Sequence, residues 1–231
     1  MKHLAIITAR SGSRGLPGKN IRLLNGHPML AWSIAAALKS GLYDRVIVST
    51  DDEAYADIAQ QYRAEVPWLR NASLSGDDAT STDVIVDLLE NLTNHGEVYD
   101  YFTLLQPTSP LRTAEDLKGA WRMMQEKKAS AVVGVSACDH PPQWAGLLPE
   151  DLSMEAFVNP LFNRPRQQLQ PYYRINGAVY MSSVEAFIRE KGFLHSGTYA
   201  LVMPKERSVD IDDESDFLLA GLLMEKLNYK I

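Results

Sequence analysis

The sequence predicts an α/β fold, a mainly parallel sheet with helices on both faces. Three observations predict it. Short β-rich apolar runs alternate with stretches of helical periodicity, the order a parallel sheet requires. Polar loops rich in glycine, proline or charge follow the predicted strands, and ligands of such folds sit beyond the carboxyl ends of the strands. No stretch approaches the roughly 20 consecutive apolar residues that a membrane-spanning helix needs.

The elements follow in order. Residues 4–8 read as a buried first strand rather than a signal peptide, because Arg10 closes the apolar run without a usual cleavage pattern. Pro28 suits a first helical position. Leu30, Ile34, Ala37 and Leu38 then repeat at helical spacing, and Gly41 supplies a stop. Residues 45–50 (RVIVST) form a second strand and 51–61 a helix. Residues 82–92 form another helix, with Ser81 or Thr82 as its cap. Pro107 ends the strand at 101–106 (YFTLLQ), a helix covers 114–127, and 131–136 (AVVGVS) is a strand.

Between 139 and 173 the rhythm breaks. Six prolines fall there, at 141, 142, 149, 160, 165 and 171, too long a stretch for an ordinary connection. Trp144, Phe157, Leu161 and Phe162 mark it as an excursion that docks on something, a lid or a dimer arm; a disordered loop is the plainer alternative. Strands at 177–181 and 200–203 and a helix at 215–227 complete the chain, without internal repeat. A length of 231 residues suits one domain spanning 1–231, with 139–173 as an insertion.

Composition narrows the function. Hydrophobic residues make up 45%, enough for a core, and the net charge of -6 argues against binding nucleic acid or an anionic membrane. Cys138 is the only cysteine, so no intrachain disulfide forms, which fits a reducing cytoplasm. Against the acidic background, Arg10, Arg14, Lys19 and Arg22 place four positive charges within 13 residues. They suggest an anionic ligand; a solvated basic turn is the alternative.

These charges sit on the loop at 10–20, RSGSRGLPGKN, directly after the first strand. Its glycines, Gly12, Gly15 and Gly18, let backbone N–H groups approach a ligand closely. Arg10 and Lys19 bracket the loop as candidate phosphate cations. Two common phosphate motifs fail. A Walker A loop needs four residues between its first Gly and Gly-Lys-Ser/Thr, whereas five separate Gly12 from Gly18 and Asn20 replaces the hydroxyl residue. The glycine spacing also misses the G-x-G-x-x-G dinucleotide fingerprint. Further along, Asp210 and Asp212 flank Ile211. On an extended strand both carboxylates project from one face and suit Mg²⁺, which takes one or two carboxylates plus phosphates and water. The alternative is that Asp212, Asp213 and Asp216 serve the N-terminus of the last helix.

The segment ITARSGSRGLPGKNIRLLNGHPML (7–30) resembles the N-terminal signature of the acylneuraminate cytidylyltransferases, the CMP-sialic acid synthetases. VIVSTDD (46–52), LQPTSPLR (105–112), RQQLQPYYRINGAVY (166–180) and SVDIDDESD (208–216) match in the same order, so the likeness covers nearly the whole chain. It implies a Rossmann-like nucleotidyltransferase sheet flanked by helices, with an extended dimerisation excursion. It also implies transfer of CMP from CTP to the anomeric hydroxyl of a nine-carbon acidic sugar, release of pyrophosphate, use of Mg²⁺, and a homodimer.

The resemblance also implies roles. Arg10 and Lys19 would hold the triphosphate, with Gly12, Ser13, Gly15 and Asn20 also at the nucleotide. Arg70 and Ser81 would enclose cytosine and phosphate, although Arg70 also reads as a surface residue and Ser81 as a cap. Asp210 and Asp212 would hold the metal, and one would accept the sugar's proton. Gln106, Arg166 and Gln167 would line the acceptor pocket, with Arg166 on the sugar carboxylate. Tyr180 would pack on the sugar or in the core, and Phe193 would reach across a dimer. Two departures bear on the acceptor: no Lys follows His140-Pro141, and Phe193-Leu194 stands where two aromatics are common. They leave room for a relative of sialic acid such as legionaminic acid. Two other readings are an eight-carbon acceptor, 3-deoxy-manno-octulosonate, and a D-x-D glycosyltransferase.

Overall fold

The computed structural model describes residues 1–12, 15–76, 79–157 and 168–231. Its main sheet has six strands: β1 (His3–Thr8), β4 (Arg45–Ser49), β5 (Tyr101–Leu104), β6 (Ala131–Ala137), β7 (Tyr173–Ser183) and β8 (Thr198–Val202). They lie in the order β4-β1-β5-β7-β6-β8. All pairs are parallel except those of β7, which runs antiparallel to both β5 and β6. The expected α/β class, a mainly parallel sheet between helices, is what forms.

The helices are α1 (Met29–Ser40), α2 (Glu53–Gln61), α3 (Ser81–Asn94), α4 (Ala114–Glu126), α5 (Val184–Glu190) and α6 (Glu214–Lys226). Alternation along β1 sends Ala5 and Ile7 into one core and Leu4 and Ile6 into another. The first core meets α1, α2 and α4 through Leu30, Ile34, Tyr55 and Leu117. The second meets α3 and α5 through Ile85, Leu88 and Phe187. A third cluster under α6 holds Met29, Trp32, Leu111, Ile211 and Phe217.

Several boundaries differ from expectation for local reasons. Pro28 lies outside α1, in a two-stranded hairpin of β2 (Leu23–Leu24) and β3 (His27–Pro28). Asn25 and Gly26 both have positive φ there, 48° and 82°, as a two-residue hairpin turn of Asn-Gly type demands. Asp52 caps α2, its Oδ1 accepting from the Ala54 and Tyr55 amides at 2.8 and 3.3 Å, so that helix begins after the acidic pair. Neither Ser81 nor Thr82 caps α3; Thr80 does, in a reciprocal capping box with Asp83. The strand expected at 177–181 extends back to Tyr173, and α5 follows where no helix was expected. Within the described part of the excursion, short 3-10 turns form at Pro142–Trp144 and Glu155–Phe157.

Candidate active site

A polar cleft of about 390 Å³ opens at the carboxyl ends of β1 and β5. One wall is the loop after β1, contributing Arg10, Gly15, Lys19 and Asn20. The facing wall comes from Arg70, Gly76, Ala79 and Ser81 at the entry to α3. Gln106, Pro107 and Thr108 form the floor after β5, and Asp212 closes one end. Parallel strands put these loops on one edge of the sheet, which is why segments distant in sequence converge there.

Local bonds set each side chain. Asn20 is buried, and its Nδ2 donates to the Arg10 carbonyl at 3.1 Å, folding the loop back on itself. Arg10 Nη1 donates to the Gly76 carbonyl at 3.2 Å, across the cleft. Arg70 Nε and Nη2 donate to Ser49 Oγ and O at 3.1 and 2.5 Å, fastening the facing wall to the end of β4. Burial holds the Arg70 guanidinium below its usual pKa; Asp51 opposes that shift and Arg10 adds to it. Asp51 in turn accepts from the Ser11 amide and hydroxyl at 2.8 and 3.1 Å. Among the described residues, the lining of the cleft gathers three cationic side chains, Arg10, Lys19 and Arg70, and one carboxylate, that of Asp212.

Lys19 spans the end of the cleft. Its Nζ donates to the Ile211 carbonyl at 2.7 Å and to Asp212 Oδ1 at 3.0 Å. Gly15 lies against the same segment: a Cβ there would sit 2.5 Å from the Asp212 carbonyl oxygen, so a side chain would force the loop and the acidic segment apart.

Residues 208–212 pair with no strand. The Ile211 amide donates to the Thr108 carbonyl at 2.8 Å and its side chain is fully buried under α6. Asp212 has its side chain 79% exposed, while Asp210 is half-buried. Asp210 Oδ1 is buried without a hydrogen-bond partner among the described residues. Burial raises the Asp210 carboxyl above the ordinary value; the Thr108 hydroxyl's hydrogen bond opposes this, Asp212 reinforces it, and Lys19 and Arg174 oppose it. The helix-terminus alternative accounts for Asp213 and Asp216, which make the capping box of α6.

The cleft therefore brings together Arg10, Gly15, Lys19, Asn20, Arg70, Ser81, Gln106 and Asp212. Asp210 lies just beneath: a Cβ on Gly177, at φ +74°, would meet Gln106 Oε1 at 2.7 Å, Ser109 Oγ at 3.0 Å and Asp210 Oδ2 at 3.3 Å. Gly12 is exposed and does not line the cleft. Tyr180 is half-buried outside it, its hydroxyl raised by burial and by the Asp210 charge. Phe193, expected to reach across a dimer, is half-buried beside Phe187, Tyr180 and Phe102, with ring centroids at 4.8, 5.2 and 5.6 Å. Ser13, Arg166 and Gln167 lie outside the described residues. Thr8, Leu74, Gly76 and Val84 line the cleft without having been singled out. Only the end of the first strand, at Thr8, carried a signal of its own.

Comparison with known proteins gives the family and the fold. The model of the cytidylyltransferase family matches residues 4–189. An N-acylneuraminate cytidylyltransferase of Streptococcus agalactiae is 40% identical over 221 residues, 94% of this chain and 52% of that protein. A CMP-N,N'-diacetyllegionaminic acid synthase of Legionella pneumophila is 37% identical over 97% of both chains. The chain thus spans about half the length of the first relative and nearly all of the second. In fold, it resembles a solved CMP:2-keto-3-deoxy-manno-octonic acid synthetase complexed with CTP, with a TM-score of 0.71, 17% identity, and coverage of 98% of this chain and 100% of that one.

Proposed function

The chain belongs to the cytidylyltransferase family, and from that premise we propose that it transfers CMP from CTP to the anomeric hydroxyl of a nine-carbon acidic sugar, a nonulosonic acid. The observation that carries this reading is the cleft in which Arg10, Lys19 and Arg70 converge at the strand ends opposite Asp212. A triphosphate needs several cations at different depths, and that wall offers them. The full-length match to the legionaminic acid enzyme supports the acceptor class.

In the proposed reaction the sugar hydroxyl oxygen bonds to the α-phosphorus, the bond from that phosphorus to the bridging oxygen breaks, and pyrophosphate leaves. Alignment and charge neutralisation supply most of the acceleration in such chemistry. Arg10 and Lys19 would neutralise the triphosphate, Asn20 would brace the loop at the nucleotide, and Gln106 would orient the acceptor. The hydroxyl proton would pass to a carboxylate of the 210–212 segment. Burial makes Asp210 a stronger base than a solvated aspartate.

We further propose that Mg²⁺ is used. The orphaned, buried Oδ1 of Asp210 and the exposed carboxylate of Asp212 are the residues that would hold it. When bound, the ion would neutralise phosphate charge. Phosphate and water would complete the coordination of such an ion. A homodimer is proposed through the excursion, whose described part exposes Leu147, Leu152, Met154, Tyr172 and Tyr173. No described helix is long and apolar enough to cross a membrane, and a cytoplasmic setting, where CTP is held, is proposed.

The test is pyrophosphate release from CTP with N-acetylneuraminate, legionaminate, pseudaminate and 3-deoxy-manno-octulosonate in parallel. Release with a nine-carbon acid is expected. Release with the eight-carbon acid alone would move the acceptor class. No release with any of the four would overturn the reading.

A further inference from the structure

Arg112 is the largest fully buried side chain among the described residues. Its guanidinium donates to three oxygens from three separate segments. Nε reaches the Ala178 carbonyl in β7, Nη1 reaches Ser33 Oγ in α1 at 2.9 Å, and Nη2 reaches the Gln106 carbonyl at 2.7 Å. Ser33 Oγ donates to the same Gln106 carbonyl at 3.4 Å. All three acceptors are neutral, and among the described residues no carboxylate lies within ion-pair distance of this cation. Burial accordingly draws its pKa down to about 10.

A buried cation without a contacting anion carries a desolvation cost, offset here by the hydrogen bonds it gives to two backbone carbonyls and a hydroxyl. What a guanidinium offers is a rigid planar fork whose donors have fixed directions. This fork holds the backbone of Gln106 and that of Ala178 at a set separation. Gln106 Oε1 rests directly over Gly177, the neighbour of Ala178, close enough that a Cβ would meet it at 2.7 Å. The direction of the Gln106 side chain into the cleft thus depends on the two backbones that Arg112 joins. The phosphate wall, at Arg10 and Lys19, makes none of these bonds.

We propose that Arg112 is a positioning residue for the acceptor side of the cleft: it fixes Gln106 against Gly177 and leaves the triphosphate side unaffected. The proposal rests on the cytidylyltransferase reading.

Arg112→Lys tests it, keeping the charge and removing the fork. Three quantities are compared with the wild type: amide hydrogen exchange, CTP binding by calorimetry without acceptor, and steady-state kinetics with the acid most active in the pyrophosphate screen. Faster exchange is expected at 105–109 and 177–179. The Kd for CTP is expected to stay within about twofold, because distant sites act independently. The kcat/KM for the acceptor is expected to fall about tenfold or more, as misplaced positioning groups do. Equal losses in CTP binding and acceptor kinetics would show a merely structural role and overturn the proposal, as would wild-type acceptor kinetics. Should Arg112→Lys fail to fold, Ser33→Ala, which removes one of the three acceptors and the second donor to Gln106, is read the same way. A roughly threefold loss confined to the acceptor is then expected, the worth of one neutral hydrogen bond, and wild-type kinetics refute the idea. If the wild type releases no pyrophosphate with any acid, the functional reading fails by itself, and unchanged exchange in Arg112→Lys would separately dispose of the clamp.

Discussion

Lys19 and Asp212 neutralise one another in this structure, and each is also a residue that a triphosphate with its metal would claim. The pair bridges 192 intervening positions at 3.0 Å, with Asp212 facing solvent. An ion pair with one exposed partner adds little to stability, about 0–1 kcal/mol. Its removal should therefore show in chemistry more than in folding. Lys19→Ala is expected to lower kcat/KM by about 10²-fold or more, the usual loss of one charge-stabilising donor, while the melting temperature moves by only a few degrees. Steady-state pyrophosphate release and a thermal scan check both numbers. Near-normal turnover in a folded variant would remove Lys19 from the catalytic set.

At the level of elements, the cleft is shaped by how helices begin. Thr80 caps α3 through its side chain and the Asp83 amide at 3.1 Å, while Asp83 accepts from the Thr80 amide and hydroxyl. That frees Ser81, the first residue of α3, to face the cleft. Asp213 and Asp216 do the same for α6, and the acidic run thereby divides into two capping residues, Glu214 paired with Arg22, the exposed Asp212 and the half-buried Asp210. Thr80→Ala is expected to cost about 1 kcal/mol, which for a chain of this size is a drop of about 2–4 °C in melting temperature. Thr80→Ser, retaining the hydroxyl, should melt close to the wild type. Equal melting of all three would mean that α3 does not depend on this cap.

For the molecule as a whole, pH acts on a group far from the cleft. His3 is buried at the start of β1, its Nε2 3.0 Å from Thr103 Oγ1 and its ring 4.6 Å from that of Tyr43. Burial lowers its pKa to about 4, and the charge of Asp44 opposes the shift only in part. The unfolded chain takes up this proton near the ordinary value of about 6.5, so the folded state is the poorer proton acceptor. The contribution of the neutral ring is full above that value and is lost as pH falls from about 6.5 toward 4. Between pH 7.5 and 5 the loss should reach roughly 2 kcal/mol. Urea unfolding across that range should show the decline, and His3→Gln should flatten it. Parallel slopes in both proteins would acquit His3.

Much of this was legible before any coordinates. The alternation of β-rich runs with helical periods determined the sheet, because periodicity and strand propensity are local properties of consecutive residues. The loop at 10–20 could be singled out as a candidate wall of the cleft for the same reason: its glycines and its bracketing Arg10 and Lys19 lie within a few residues of one another. The antiparallel β7, the hairpin at Asn25-Gly26 and the seven-residue α5 were harder to read, being short or dependent on which neighbour a strand finds. Tertiary structure alone decided the fates of single side chains. It left Asp210 half-buried and Asp212 exposed, paired Lys19 with the latter, set Phe193 beside Phe187 and sank Arg112 between three segments. Burial and pairing depend on residues brought together from far apart in sequence, and no local pattern carries that information.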